Sequence, residues 1–253
     1  MIQSGRVFPL ALILIFFVIY LYCIRRSLQG KIPTIRKLAG LDGIREVTGR
    51  SVEMGRPIFY STGTGTLRAG ADMPQTLAGL TLLGYVSKLA ASYKVKAIYW
   101  AAVPELVPLS RDILKGTYSN EFKDDQVIFV PGQVPLMAAA MGTYEREKPG
   151  GNFIMGALYW ETIILAEAGA RAGAMQVGGT GRLYQVPYVV ALCDYCLIGE
   201  ELLAAGAYIS KEPAQLGTIL GSDIVRFLVV GLIGLVILGS VVGFDVASKI
   251  FRF

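Results

Sequence analysis

The chain opens and closes on uncharged apolar runs, with shorter apolar runs spaced through a mixed interior. Val7 to Ile24 is free of charge over eighteen residues, and Phe227 to Phe244 over another eighteen. At ~1.5 Å rise per residue, each is about long enough to cross ~30 Å of hydrocarbon. The pattern therefore predicts a transmembrane helix over 1–24 and a second, with a short tail, over 223–253. A cleaved signal peptide is the competing reading of the first run. Against it, Arg25-Arg26 stand where a small-residue cleavage site belongs. In the second run Gly239 and Gly243 are four apart, a spacing that lets another helix approach closely, although one such pair also arises by chance in membrane helices.

The stretch 25–55 is polar, basic and glycine-punctuated, and predicts a membrane-surface connector carrying a short helix around Ile35 to Leu41. A repeating unit follows over 56–222. Pro57 to Ser61 reads as a strand, Ser61 to Thr66 as a glycine loop, and Pro74 to Ser92 as a helix with Leu77, Leu80, Leu83, Val86 and Leu89 at helical spacing. Strand-like runs recur at Ala97 to Val103, Gln126 to Val130, Asn152 to Gly156 and Ala174 to Val177. Helical sequence follows each, from Glu105 to Lys115, through Leu136 to Arg146, from Trp160 to Arg171, and up to Tyr208. Short apolar strands alternating with helices predict an α/β fold, a Rossmann-like parallel sheet of about five strands with helices on both faces. The helices carry few charges, Trp160 to Ala170 showing only Glu161 and Glu167. A helix apolar on most sides needs cover on most sides, so the expected partners are the lipid bilayer and either a second copy of the chain or another membrane protein.

Composition changes the picture in two ways. Among 253 residues, 53% are hydrophobic and 17% charged, and the mean hydropathy is +0.52, which excludes disorder and a purely soluble chain. The net charge of +5 suggests nucleic acid until its location is read: Arg25, Arg26, Lys31, Arg36, Lys37, Arg45 and Arg50 follow the first apolar run, against Arg6 before it. By the positive-inside rule this makes a two-pass protein of the cell membrane, its α/β domain cytoplasmic and both termini outside, with no nucleic-acid partner.

With no histidine and three cysteines, the usual catalytic and metal-binding vocabulary is thin, and neither a metal nor a cofactor is expected. In an open parallel sheet, ligands bind at the carboxyl ends of the strands. Two glycine-rich stretches fall there, Ser61-Thr62-Gly63-Thr64-Gly65 and Gly178-Gly179-Thr180. Their N–H groups and hydroxyls could present to an anion, with Arg68 or Arg182 adding charge. The alternative is tight turns that let helices pack close to the sheet, and no dinucleotide or Walker pattern is complete. Glu161 lacks a helical ion-pair partner and belongs either at a helix start, stabilised by the dipole, or facing a ligand or neighbouring subunit. Glu167 and Arg171 are spaced to pair with each other. Cys193-x-x-Cys196 is either a redox pair at a helix N-terminus or two small buried thiols. Without histidine, a serine triad is excluded.

Several separated segments, taken together, resemble an uncharacterised prokaryotic family of membrane proteins, a domain of unknown function. They are Pro57 to Gly65, Thr76-Leu77-Ala78-Gly79-Leu80-Thr81, Ala166-Glu167-Ala168-Gly169-Ala170-Arg171, and Leu197-Ile198-Gly199-Glu200-Glu201-Leu202 with Ala204 to Tyr208. The resemblance covers about 56–209 and implies an α/β domain with flanking transmembrane helices, without an activity. Where the family places an acidic residue, a histidine and a proline, this chain has Cys193-Asp194-Tyr195-Cys196, so no role of that histidine carries over. The expectation is a membrane-anchored oligomeric scaffold or partner-binding protein, more a binding protein than an enzyme. The alternative is a membrane-tethered enzyme or sensor taking a nucleotide or other anion at the glycine-rich strand ends.

Overall fold

Five apolar runs of the interior become parallel strands, and a sixth joins them. The computed structural model describes residues 7–30, 38–68 and 70–241. Among these the elements run α1 (Val7–Leu28), α2 (Ala39–Met54), β1 (Ile58–Ser61), α3 (Asp72–Ser92), β2 (Ala97–Ala101), α4 (Leu106–Tyr118), β3 (Val127–Phe129), α5 (Gln133–Glu147) and β4 (Gly151–Met155). They continue with α6 (Glu161–Arg171), β5 (Met175–Thr180), α7 (Val186–Leu192), β6 (Tyr195–Ile198), α8 (Glu200–Ser210) and α9 (Pro213–Val241). The chain divides into two units, Lys37–Ile209 on one hand and Met1–Arg36 with Ser210–Phe253 on the other.

In the first unit all strands are parallel, in the order β3-β2-β1-β4-β5-β6, so the direction of winding reverses between β1 and β4. β1, β2 and β4 are buried along their whole length, as strands covered on both faces must be. Alternate side chains build two cores. Ile58, Tyr60, Tyr99, Phe153 and Val177 point to one face and meet Leu83 and Val86 of α3, Leu114 of α4 and Leu202 of α8. Phe59, Ile98, Trp100 and Ile154 point to the other and meet Leu136 and Tyr144 of α5 and Leu165 of α6.

Two features depart from the sequence reading. β6 lies inside the stretch expected to be helical up to Tyr208: its four residues form an edge strand too short to carry a periodic signal. The expected connector over 25–55 contains a sixteen-residue helix, α2, which packs on β4, β5 and β6 and brings the unit's start to Lys37 rather than 56. Leu38, Leu41, Ile44 and Val47 recur at every third position and are buried, a stripe hidden in the sequence by intervening glycines and charges. The hydroxyls of Thr48 and Ser51 stay buried by donating to the carbonyls of Ile44 and Val47, each at 2.8 Å. Arg45, read only as a topology charge, donates Nε to the Tyr85 hydroxyl at 2.9 Å in an open groove of about 960 Å³ between α2 and α3.

The other unit contains α1 and α9, two helices long and apolar enough to cross a membrane. α9 begins at Pro213, ten residues before the expected 223. A Cβ on Gly217 would lie 2.7 Å from the Ile24 backbone, and one on Gly221 would lie 2.7 Å from the Tyr20 ring, so the helices are antiparallel and in contact at these glycines. The close-packed G-x-x-x-G of this pair is therefore Gly217–Gly221. Gly239 lies further along α9, and Gly243 lies outside the described residues, as do Arg6, Lys31, Arg36 and Lys37.

Candidate functional site

The carboxyl ends of β1 and β4, where the winding reverses, are the place where such a sheet opens a crevice. Here that crevice is filled from within. Beyond β1, the Ser61 hydroxyl accepts the N–H of Gly63 at 3.2 Å, Thr62 hydrogen-bonds the Tyr99 hydroxyl at 2.6 Å, and Gly63 turns the chain at φ +73°. A side chain on Gly63 or Gly65 would collide with Leu158 or Ala157, so both glycines seat this loop against the one after β4. Arg68 is exposed further along the same loop.

The loop's next donors point at the chain's own carboxylates. Thr64 donates its N–H at 3.2 Å and its hydroxyl at 3.1 Å to Oε1 of Glu161, and Gln133 donates Nε2 to Oε2 at 2.7 Å. Glu161 is fully buried at the first position of α6. Of the two readings of Glu161, the helix start is its position, and its partners come from β1's loop and α5. The N–H of Leu67 in turn donates to Glu105 at 3.2 Å. Two internal carboxylates thus hold donors that an anionic ligand would need.

Arg182 is equally committed. Its guanidinium pairs with Asp72, donates to the Leu158 carbonyl at 3.0 Å and the Tyr184 hydroxyl at 2.8 Å, and stacks 3.6 Å over the Tyr159 ring. Gln75 of α3 accepts the Gly181 N–H at 2.9 Å, closing the same clamp. Gly178, Gly179 and Thr180 lie not in a loop but in β5, where all three are buried. A Cβ on Gly178 would lie 2.6 Å from the Cys193 sulfur, and one on Gly179 3.0 Å from Leu202, so these glycines let α7 and α8 approach the sheet. Thr180 accepts the Arg182 N–H at 3.2 Å.

Cys193 ends α7 and Cys196 lies in β6, so neither thiol sits at a helix N-terminus. Burial, with help from Cys196 and Asp194, pushes the Cys193 thiol up to about 12, and burial raises Cys196 as well. Both are poor nucleophiles at neutral pH. Glu167 and Arg171 pair at 2.9 Å on the surface of α6. Among the described residues no three acidic, cysteine or histidine side chains gather as a metal site would require.

What the sequence reading did not anticipate is the rim above this filled crevice. Trp160 is 52% exposed and is held by its Nε1 donating to Gln133 at 2.7 Å; Val134, beside Gln133, is 60% exposed. Tyr184, against Arg182, is 56% exposed and Leu183 is 88% exposed. Aromatic and aliphatic side chains therefore stand in solvent, Trp160 and Tyr184 held by hydrogen bonds to Gln133 and Arg182. Only the aromatic content after β4 and β5 signals this in the sequence.

The chain belongs to the family described as a domain of unknown function, DUF6754, whose model matches residues 1–251 and so takes in both apolar helices as well as the sheet. No curated protein and no solved structure matches the chain.

Proposed function

We propose that this chain is a membrane-anchored, oligomeric partner-binding protein: α1 and α9 hold it in the cell membrane, and its cytoplasmic α/β domain organises an assembly by gripping a protein at the carboxyl-end rim of the sheet. The observation that carries this reading is the rim formed by Trp160, Tyr184, Leu183 and Val134 over a crevice already occupied by Glu161. Pre-positioned Trp and Tyr beside a fixed Arg are the side chains that dominate protein interfaces, and their exposure has no folding benefit within one copy. The rival reading, a nucleotide or other anion at the Gly63 and Gly178 stretches, must displace Glu161 and find room inside β5. A photo-reactive side chain in place of Leu183 should give one discrete adduct in cells, either a second copy or another membrane protein, while the same group at Lys94 gives none. Absence of an adduct from Leu183, together with a thermal shift on adding nucleotides, would favour the rival.

The orientation rests on the seven basic residues following the first apolar run, and the antiparallel packing of α1 and α9 suits a two-pass anchor with both termini on one side. In intact cells an impermeant thiol reagent should label a cysteine placed at Gln3 or after Phe253 and miss one placed at Asp124. Labelling at Asp124 would put the domain outside and end the cytoplasmic reading. Neutralising Arg25, Arg26, Lys31, Arg36 and Lys37 should yield a mixture of orientations, since Arg6 then competes on nearly equal terms.

A further inference from the structure

The contacts that fix the register of α1 against α9 also fix the depth of two charges. Gly217 meets Ile24 and Gly221 meets Tyr20, so each step toward the end of α9 is a step toward the start of α1. In that register Leu216 is level with Arg25, while Asp223 and Arg226 are level with Val18 and Ile15, near the middle of the uncharged run of α1. Asp223 is seven residues and Arg226 ten residues beyond Leu216, or ~10 and ~15 Å further along the axis at ~1.5 Å per residue. With α1 spanning the bilayer, both charges stand level with the middle of its uncharged run, while on α9 they stand four residues and one residue before the uncharged run Phe227 to Phe244. They pair with each other at 3.9 Å, and each side chain is 51% exposed.

Their direction is set by helical geometry. At ~100° per residue, Asp223 and Arg226 lie on the side of α9 opposite Gly217 and Gly221. The same side continues through Val230, Ile233 and Ile237, which are 60%, 53% and 58% exposed. The stripe thus has the three- and four-residue spacing of a helix-pairing seam and begins with an acid and a base one turn apart. Charged side chains at this depth persist where other charges meet them, rather than facing lipid.

We infer that Asp223 and Arg226 are the contact through which α9 pairs with α9 of a second copy of this chain, Asp223 of each copy meeting Arg226 of the other. Two copies inserted with the same topology have parallel α9 helices, and a twofold axis along the bilayer normal sets equal residues at equal depth. An acid and a base one turn apart are self-complementary under that axis, which makes the second copy the partner that the charge pattern fits. The inference rests on the membrane-anchored reading above and adds to it a specific interface, separate from the rim of the α/β domain.

The test uses the full-length chain in native membranes, with Val230→Cys as the cross-linking site and the chain without that substitution as control. Oxidation should yield a species of twice the mass. Asp223→Arg alone, or Arg226→Asp alone, should lower its yield about tenfold, because four like charges then meet in lipid. When the two single reversals are produced together with different tags, the cross-linked species should return and carry one of each tag. That arm keeps the inference open to refutation even if a single reversal inserts poorly. Equal cross-linking in a single reversal, or co-production giving like-tagged and mixed species at random, would overturn it. The two readings fail separately: release of the unaltered chain by alkaline carbonate would remove the membrane anchor itself. Retention in the membrane, with Leu183 adducts intact but charge-insensitive cross-linking, would remove only this interface.

Discussion

Gly79→Ala should destabilise the α/β domain by about 3 kcal/mol, and Gly79→Val by enough to prevent its folding. Gly79 lies in α3 where that helix crosses β4, and a Cβ there would stand 2.3 Å from the Met155 carbonyl oxygen and 2.9 Å from Cγ2 of Thr62. The nearest obstacle is strand backbone, which cannot rotate away as a side-chain end does. Relief requires α3 to lift, and lifting it breaks the 2.6 Å hydrogen bond that the buried Tyr60 hydroxyl donates to the Gly79 carbonyl. A whole domain is stable by only about 5–15 kcal/mol, so the valine, with two further methyls in the same space, exceeds what the fold can absorb. Gly116→Ala is the matched control. Its added Cβ meets nothing within 4 Å on the exposed side of α4, and it should stabilise by about 0.5–1 kcal/mol through helix propensity and chain entropy. Thermal unfolding of the purified full chain checks both, at about 2–4 °C per kcal/mol for a unit of this size. An alanine at Gly79 that leaves the midpoint unmoved would mean that the close approach of α3 to β4 is not as described.

The same close approaches explain which parts of the molecule could be read in advance. Parallel strands covered on both faces need no alternation, so Ile58–Ser61, Ala97–Ala101 and Gly151–Met155 stand out as short apolar runs between helical stretches, and the class of fold follows. Gly178 and Gly179 mislead for a physical reason. Two adjacent glycines signal a turn by composition, yet here they lie in a strand because Cys193, Val189 and Leu202 need the room a Cβ would take. Glu161 is legible as an oddity and illegible as a role, since Thr64 and Gln133 are brought to it by β1 and by the start of α5, not by any local spacing. The buried amides of Asn152 and Gln176 are a similar case. They bond each other at 2.7 Å across β4 and β5, take a hydrogen bond from Tyr144, and donate to the carbonyls of Leu165 and Ala166. No sequence window contains that network, because register between strands creates it.

Raising the pH should unfold the α/β domain steeply between about pH 10 and 12. Tyr60, Tyr99, Tyr118 and Tyr144 are buried, and burial is the leading cause that raises each phenol, Tyr118 to about 12, Tyr99 and Tyr144 further, and Tyr60 well above its ordinary value; a hydrogen bond to Thr62 offsets part of the effect at Tyr99. Three of them are also engaged as neutral donors: Tyr60 donates to the Gly79 carbonyl, Tyr118 to the Val95 carbonyl and Tyr144 to Asn152. In the unfolded chain the same phenols ionise near pH ~10. Above that value the native state therefore holds more protons than the unfolded state, and stability falls as pH rises; below it these groups add no pH dependence. Each phenol contributes a slope of about 1.4 kcal/mol per pH unit while it is neutral in the fold and ionised in the unfolded chain, so four together give about 5 kcal/mol per unit. Cys193, raised by burial to about 12 from 9.0, acts in the same direction from slightly lower pH. Two units of pH thus remove about 10 kcal/mol, the order of the whole stability of a domain. Tyrosinate absorbance followed beside far-ultraviolet circular dichroism separates the populations. The four buried phenols should ionise together above the ordinary phenol range, in step with the loss of helical signal. If all thirteen tyrosines titrate near pH ~10 with the circular dichroism intact, the core on either face of β1 and β2 is open to water and the packing described for it is wrong.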